Sequence, residues 1–114
     1  MVPDLDVLAD PTRRAMLALL AVETELCVCE MEAALDEIQP VVSRQFAVLR
    51  DGGWVTGRRE GRRIFYGFSA LPGWARLIVR AYAEGGVPPK ELKNARARLA
   101  QFDGRPIRLS RAAS

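Results

Sequence analysis

Prolines and glycines mark most of the element ends in this chain. Asp10-Pro11 is a helix start: a capping carboxylate, then proline at the first helical position. Met16, Leu19, Leu20 and Glu23 follow at helical spacing, which predicts an amphipathic helix over 11–22 with one buried stripe. Asp4 to Leu8 reads as a short preceding helix. Leu26 to Leu35 reads as the next one, with Leu26, Met31, Ala34 and Leu35 available for packing. Pro40 opens another helix to about Asp51, and Gly52-Gly53 ends it. Pro72 starts a helix through about Glu84, stopped by Gly85-Gly86. Pro88-Pro89 opens a last, highly charged helix through about Phe102.

Only one stretch breaks the helical pattern. Trp54-Val55-Thr56 and Ile64-Phe65-Tyr66-Gly67-Phe68 are rich in β-branched and aromatic residues. They bracket a polar turn, Arg58-Arg59-Glu60-Gly61-Arg62-Arg63, and together predict a β-hairpin. The expected fold class is mainly α with a small β-hairpin, a winged helix-turn-helix. Residues 1–102 are expected to form one domain and residues 103–114 a disordered tail. At 114 residues and 49% hydrophobic, the chain is large enough for one modest core. It has no apolar run near the length of a membrane span and no signal-peptide pattern, so no membrane partner and a cytoplasmic location are expected.

The net charge of +3 hides a strong polarity. Residues 1–38 carry two basic and nine acidic side chains, whereas residues 39–68 carry six basic and two acidic ones, every cation an arginine. Arginine is the fork that matches phosphate and guanine. At about 100° per residue, Val42, Phe46 and Leu49 share one narrow stripe of the 40–51 helix. Arg44 then points nearly opposite, with Ser43 and Gln45 at the rim. A dry inner face with polar residues at the outward N-terminal end suits entry into the major groove. The candidate DNA-reading residues are Gln39, Val41, Ser43, Arg44 and Gln45. Arg58, Arg59, Arg62 and Arg63 on the hairpin suit phosphates or the minor groove. The partner expected is double-stranded DNA.

Both cysteines of the chain lie in Leu26-Cys27-Val28-Cys29-Glu30. Two thiols separated by one residue can chelate one soft ion or close one small disulfide. Thiolate sulfur prefers thiophilic ions, so Cys27 and Cys29 are candidate ligands for such an ion. On a regular helix, residues two apart differ by about 200°, and their sulfurs would point to opposite sides. Gripping one ion would then force that turn to unwind. Glu25, Glu30 and Glu32 surround the pair and should oppose thiolate formation, which disfavours a peroxide sensor. With no His and no βαβ pattern, a thiol oxidoreductase is not expected, nor any other enzyme.

Four segments together resemble the ArsR/SmtB family of bacterial metal-responsive repressors. They are Leu8-Ala9-Asp10-Pro11-Thr12-Arg13-Arg14, Glu25-Leu26-Cys27-Val28-Cys29-Glu30, the stretch from Gln39 to Arg50, and Gly57-Arg58-Arg59-Glu60-Gly61-Arg62. The resemblance covers about residues 5–84. It implies a homodimer paired through its first and last helices, on an operator of twofold symmetry. On this chain that gives Leu5, Leu8, Trp74, Leu77, Ile78 and Ala81 as interface residues. It also implies release from DNA by trivalent arsenic or antimony, with no organic cofactor. The arsenic-sensing branch carries a third cysteine three residues after the second; here that position is Glu32, a possible third ligand. Where the family often has His in the recognition helix, this chain has Gln45. The alternative is a related regulator that responds to thiol oxidation or to another soft metal ion.

Overall fold

The structure, a computed structural model, describes residues 2–108. A single 3-10 turn, Leu5–Ala9, leads into α1 (Pro11–Glu23), then β1 (Glu25–Cys27), α2 (Val28–Leu35) and α3 (Gln39–Asp51). The hairpin is β2 (Val55–Glu60) and β3 (Arg63–Phe68), followed by α4 (Gly73–Ala81), a wide turn at Tyr82–Gly86, and α5 (Pro89–Ala100). The helical core carrying a β-wing agrees with the sequence reading.

Helix α1 is the centre of the molecule rather than a one-sided surface helix. Every residue from Ala15 to Leu20 is buried. Helices α3, α4 and α5, strand β1 and both flanking turns pack around it, so no face of its middle meets water. Its start is as expected: the Asp10 carboxylate accepts the Arg13 N–H at 3.0 Å. Its end is a tight turn at Thr24, whose φ of 76° is rare for a β-branched residue.

That turn sends the chain into a strand, not a helix. Glu25–Cys27 pairs antiparallel with β3, Glu25 opposite Gly67 and Cys27 opposite Phe65. The sheet therefore has three strands in the order β1-β3-β2, with the wing anchored to the core through β1. The close approach needs Gly67, where a Cβ would lie 3.2 Å from the Thr24 carbonyl oxygen. The expected helix over Leu26–Leu35 is thus shortened to Val28–Leu35.

Two aromatic anchors hold the wing and the N-terminal turn in place. Phe46 of α3 stacks on Tyr66 of β3, ring centroids 4.1 Å apart and nearly parallel. Trp54 is fully buried, and its indole N–H donates to the Asp4 carbonyl at 2.8 Å, tying down the N-terminal turn. Residues 103–108 have no regular secondary structure, yet Arg105 and Arg108 are ion-paired to the domain. Of the tail expected over 103–114, residues 109–114 lie outside the described residues.

Candidate thiol cleft and nucleic-acid interface

Helix α2 begins with a reciprocal cap. Cys27 is its extended N-cap (φ −87°, ψ 172°), and its sulfur accepts the Glu30 backbone N–H. Glu30 returns the bond: its Oε1 accepts the Cys27 N–H at 3.0 Å. This is the pattern of a capping box, with sulfur in place of a hydroxyl.

The cap decides where the sulfurs point. Because Cys27 stands outside the helix and Cys29 in its first turn, the helical 200° separation does not apply. The two Sγ atoms lie 3.0 Å apart. The expectation that they face opposite sides, and that a shared guest must unwind the turn, is overturned: the sulfurs already converge. Cys27 is buried and Cys29 half-buried. Burial, then the contact with Cys29, push the Cys27 thiol up to about 12. The Glu30 carboxylate adds to that rise, while the Glu30 N–H opposes it.

Glu30 itself is completely buried. Burial alone would raise its pKa. The Arg108 guanidinium, the Cys27 N–H and Arg105 outweigh burial and hold the carboxyl below its ordinary value. Arg108 Nη2 is 2.6 Å from Oε1, and Arg105 Nε is 2.7 Å from Oε2. Arg108 also lies over the Phe65 ring, 4.5 Å from its centroid. Sequence reasoning missed this clamp, because nothing local links residues 105 and 108 to residue 30. The cap itself was signalled by Cys27-x-x-Glu30, a sulfur version of the Ser/Thr-x-x-Glu pattern.

The thiols open onto a surface cleft of ≈ 400 Å³. Its walls bring together α2, the N-terminal end of α3 and the wing: Glu32, Gln39, Ser43, Arg62, Arg63 and Tyr66 join the two cysteines. Arg63 Nη1 donates to Cys29 Sγ at 3.5 Å. The sulfurs therefore have cationic neighbours, contrary to the wholly acidic surroundings expected. Among the described residues, no set of three or more His, Cys, Asp or Glu converges to hold a metal. Glu32 shares the cleft without completing one. Two converging sulfurs suit a thiophilic centre that brings its own remaining ligand.

Along α3, Val42, Phe46 and Leu49 are buried as expected, and Arg44 is exposed. Val41 and Ser43 are half-buried, and the Gln39 side-chain amide donates to Ser43 Oγ at 2.7 Å. Gln45 turns inward: its Oε1 accepts from Arg13 of α1 at 2.7 Å. On the wing, Arg59, Arg62 and Arg63 are exposed. Arg58 departs from the expected outward cation. It pairs with Glu25 at 2.6 Å and Glu60 at 2.7 Å, and lies 4.9 Å over Phe65. On α4, Trp74, Leu77 and Ala81 are exposed and Ile78 half-buried, while Ala75 and Val79 face the core. Leu5 is exposed and Leu8 half-buried. Trp54 donates to the Asp4 carbonyl and meets Trp74 edge-on at 6.3 Å.

A buried-core helix pair with an exposed arginine on the second helix, and a wing stacked against it, define a winged helix-turn-helix DNA-binding regulator. Residues 10–56 match the model of the bacterial regulatory proteins of the arsR family. An arsenic resistance transcriptional regulator of Pseudomonas putida, ArsR2, is 36% identical over 89% of this chain and 87% of its own length. The arsenical resistance operon repressor of Escherichia coli K12 is 42% identical over 64% of this chain and 63% of its own. Among solved structures, HlyU from Vibrio cholerae superposes with a TM-score of 0.62 at 28% identity, covering 70% of this chain and 84% of that one. The chain belongs to the ArsR family: it is a transcriptional repressor, not an enzyme. Among the described residues no helix is long and apolar enough to cross a membrane.

Proposed function

We propose that this protein is a cytoplasmic, homodimeric repressor released from double-stranded operator DNA by trivalent arsenic or antimony bound to Cys27 and Cys29. The observation that carries the proposal is the shared cleft. The converging sulfurs, 3.0 Å apart, open onto the same hollow as Gln39 and Ser43 of α3 and Arg62 and Arg63 of the wing. DNA reading falls to Arg44, Ser43, Gln39 and Val41 at the start of α3, and to Arg59, Arg62 and Arg63 on the wing. Gln45 and Arg58 support them from within through Arg13 and Glu25.

Release then needs no unwinding of α2. A metalloid on the two sulfurs occupies the cleft between the recognition helix and the wing, and so acts on groups that DNA needs. A complete reversal of a two-state equilibrium takes about 5.5 kcal/mol, which two identical sites in a dimer would share. The proposed dimer face is the apolar outer side of α4, Trp74, Leu77, Ile78 and Ala81, together with Leu5 and Leu8 of the N-terminal turn.

A protonated Cys27 thiol suits this chemistry. Trivalent arsenous acid exchanges hydroxide for thiolate, and each thiol proton leaves with a hydroxide as water. A Cys27 thiol raised to about 12 is therefore no obstacle, whereas it works against oxidation, which needs the thiolate. The test is fluorescence anisotropy on operator-bound protein titrated with arsenite, repeated with Cys27→Ser and Cys29→Ser. Native protein should release DNA and both variants should hold it. Unchanged release in both variants refutes the proposal.

A further inference from the structure

The proposed metalloid site has two sulfurs, yet trivalent arsenic binds three ligands. Among the described residues no further cysteine, histidine or carboxylate completes the set. What stands beside the pair instead is positive charge: Arg63 reaches Cys29 Sγ at 3.5 Å, and Arg62 lines the same cleft. We infer that the third ligand is the sulfur of a small free thiol that carries a carboxylate, with Arg62 and Arg63 holding the carboxylate. This inference rests on the metalloid proposal and names the co-ligand of that same site.

The balance closes without an oxidant. Arsenous acid, one free thiol and the two cysteine thiols give one arsenic tris-thiolate and three waters; three As–O bonds break and three As–S bonds form. The arsenic stays trivalent and no net proton is released. A cleft of ≈ 400 Å³ has room for a small aliphatic acid beside the sulfurs. Guanidinium pairs a carboxylate by two parallel hydrogen bonds, a geometry that neither hydroxide nor a methyl substituent could use. The co-ligand would also withdraw two wing arginines from DNA phosphates, so one molecule would fill the empty valence and weaken the wing.

The experiment uses DNA-free protein and the ultraviolet absorption of the arsenic–sulfur bond. Arsenite is titrated in the presence of mercaptoethanol, a neutral thiol, or mercaptopropionate, which differs by its carboxylate. Native protein should bind about fivefold more tightly with mercaptopropionate at low salt, as exposed ion pairs allow, and the preference should shrink as salt is raised. Arg62→Ala with Arg63→Ala should bring the ratio to one, and Arg62→Glu with Arg63→Glu should invert it. Equal affinity with both thiols in native protein, or a preference that survives the charge reversal, overturns this inference and leaves the metalloid proposal standing. With the band of arsenite and free thiol alone subtracted, absence of a protein-dependent arsenic–sulfur band with either thiol, or its persistence without Cys27 and Cys29, overturns both.

Discussion

Replacing Glu30 by Gln should loosen the turn that carries both sulfurs, and by a measurable amount. The native carboxylate is fully buried and accepts three donors: the Cys27 N–H, Arg108 and Arg105. Glutamine keeps the shape and one carbonyl oxygen. That oxygen can still take the Cys27 N–H, but its amide nitrogen then faces a guanidinium, donor against donor. Breaking a buried pair from one side costs about 3 to 5 kcal/mol when the remaining charge is stranded. Here the strandedness is partial. Arg105 is 37% exposed and can be rehydrated, and Arg108 keeps the Glu25 carboxylate 3.4 Å away. A loss of about 2 to 3 kcal/mol is the expectation, the range for hydrogen bonds to charged groups.

Urea unfolding at neutral pH, with equal slopes for both proteins, would read this loss directly. A pH series adds a sign that packing alone cannot imitate. The Glu30 pKa is lowered in the folded state, so its stabilisation is present above the ordinary carboxylate value of 4.5. It fades as pH falls through the lower folded value. The gap between native protein and Glu30→Gln should therefore close below pH 4.5. A gap under about 0.5 kcal/mol at pH 7, the size of an ordinary surface substitution, would refute the clamp. So would a gap that does not narrow in acid.

Three further outcomes are expected. Arg58→Ala should lower the urea midpoint of unfolding, leaving Glu25 underpaired, while the salt dependence of operator binding is unchanged; Arg59→Ala should do the opposite, lowering the salt slope by about one with stability intact. A change of salt slope for Arg58→Ala would contradict its inward placement. Arsenite affinity should stay flat between about pH 6 and 8, whereas a divalent soft ion must expel the Cys27 proton and should gain at least about tenfold per pH unit, because that thiol is raised to about 12. A steep arsenite profile in a direct titration would point to thiolate-dependent binding. Leu77→Glu, at a position 64% exposed, should leave the monomer folded and abolish the dimer in sedimentation, and a persistent dimer would exclude the α4 face.

Most helices were legible because their punctuation is local. Asp10-Pro11, Pro40 and Gly52 act through their own backbone geometry, and α1 and α3 begin and end close to where those residues put them. The stripe of Val42, Phe46 and Leu49 was legible because helical periodicity and burial coincide there. Strand β1 was not. Leu26 and Cys27 are as apolar as helix residues, and only pairing with β3, some forty positions away in sequence, makes them a strand. Arg58 and Gln45 were misdirected for a related reason. Their partners, Glu25 and Arg13, lie on other elements, so alternation and helical angle place the side chains without showing what holds them.

The junction between β1 and α2 ties these misreadings together. A helix through residue 26 would have separated the sulfurs and made distortion the price of sharing a guest. A strand that ends at residue 27 removes that cost and replaces it with preorganisation: the pair converges before any ligand arrives. Preorganised sulfurs would bind more tightly but store no strain to move a helix, so a switch built on them must act through what the guest touches. Arg62, Arg63, Gln39 and Ser43 are the groups within reach in that cleft. Coupling to DNA would then depend on the bulk and charge of the metalloid's remaining ligand more than on the strength of the two sulfur bonds. A guest that saturates both sulfurs yet presents nothing to the arginines should bind well and release DNA poorly. Parallel titrations of metalloid binding and operator release should then separate, and if the two curves coincide for every ligand set, the coupling runs through the protein backbone instead.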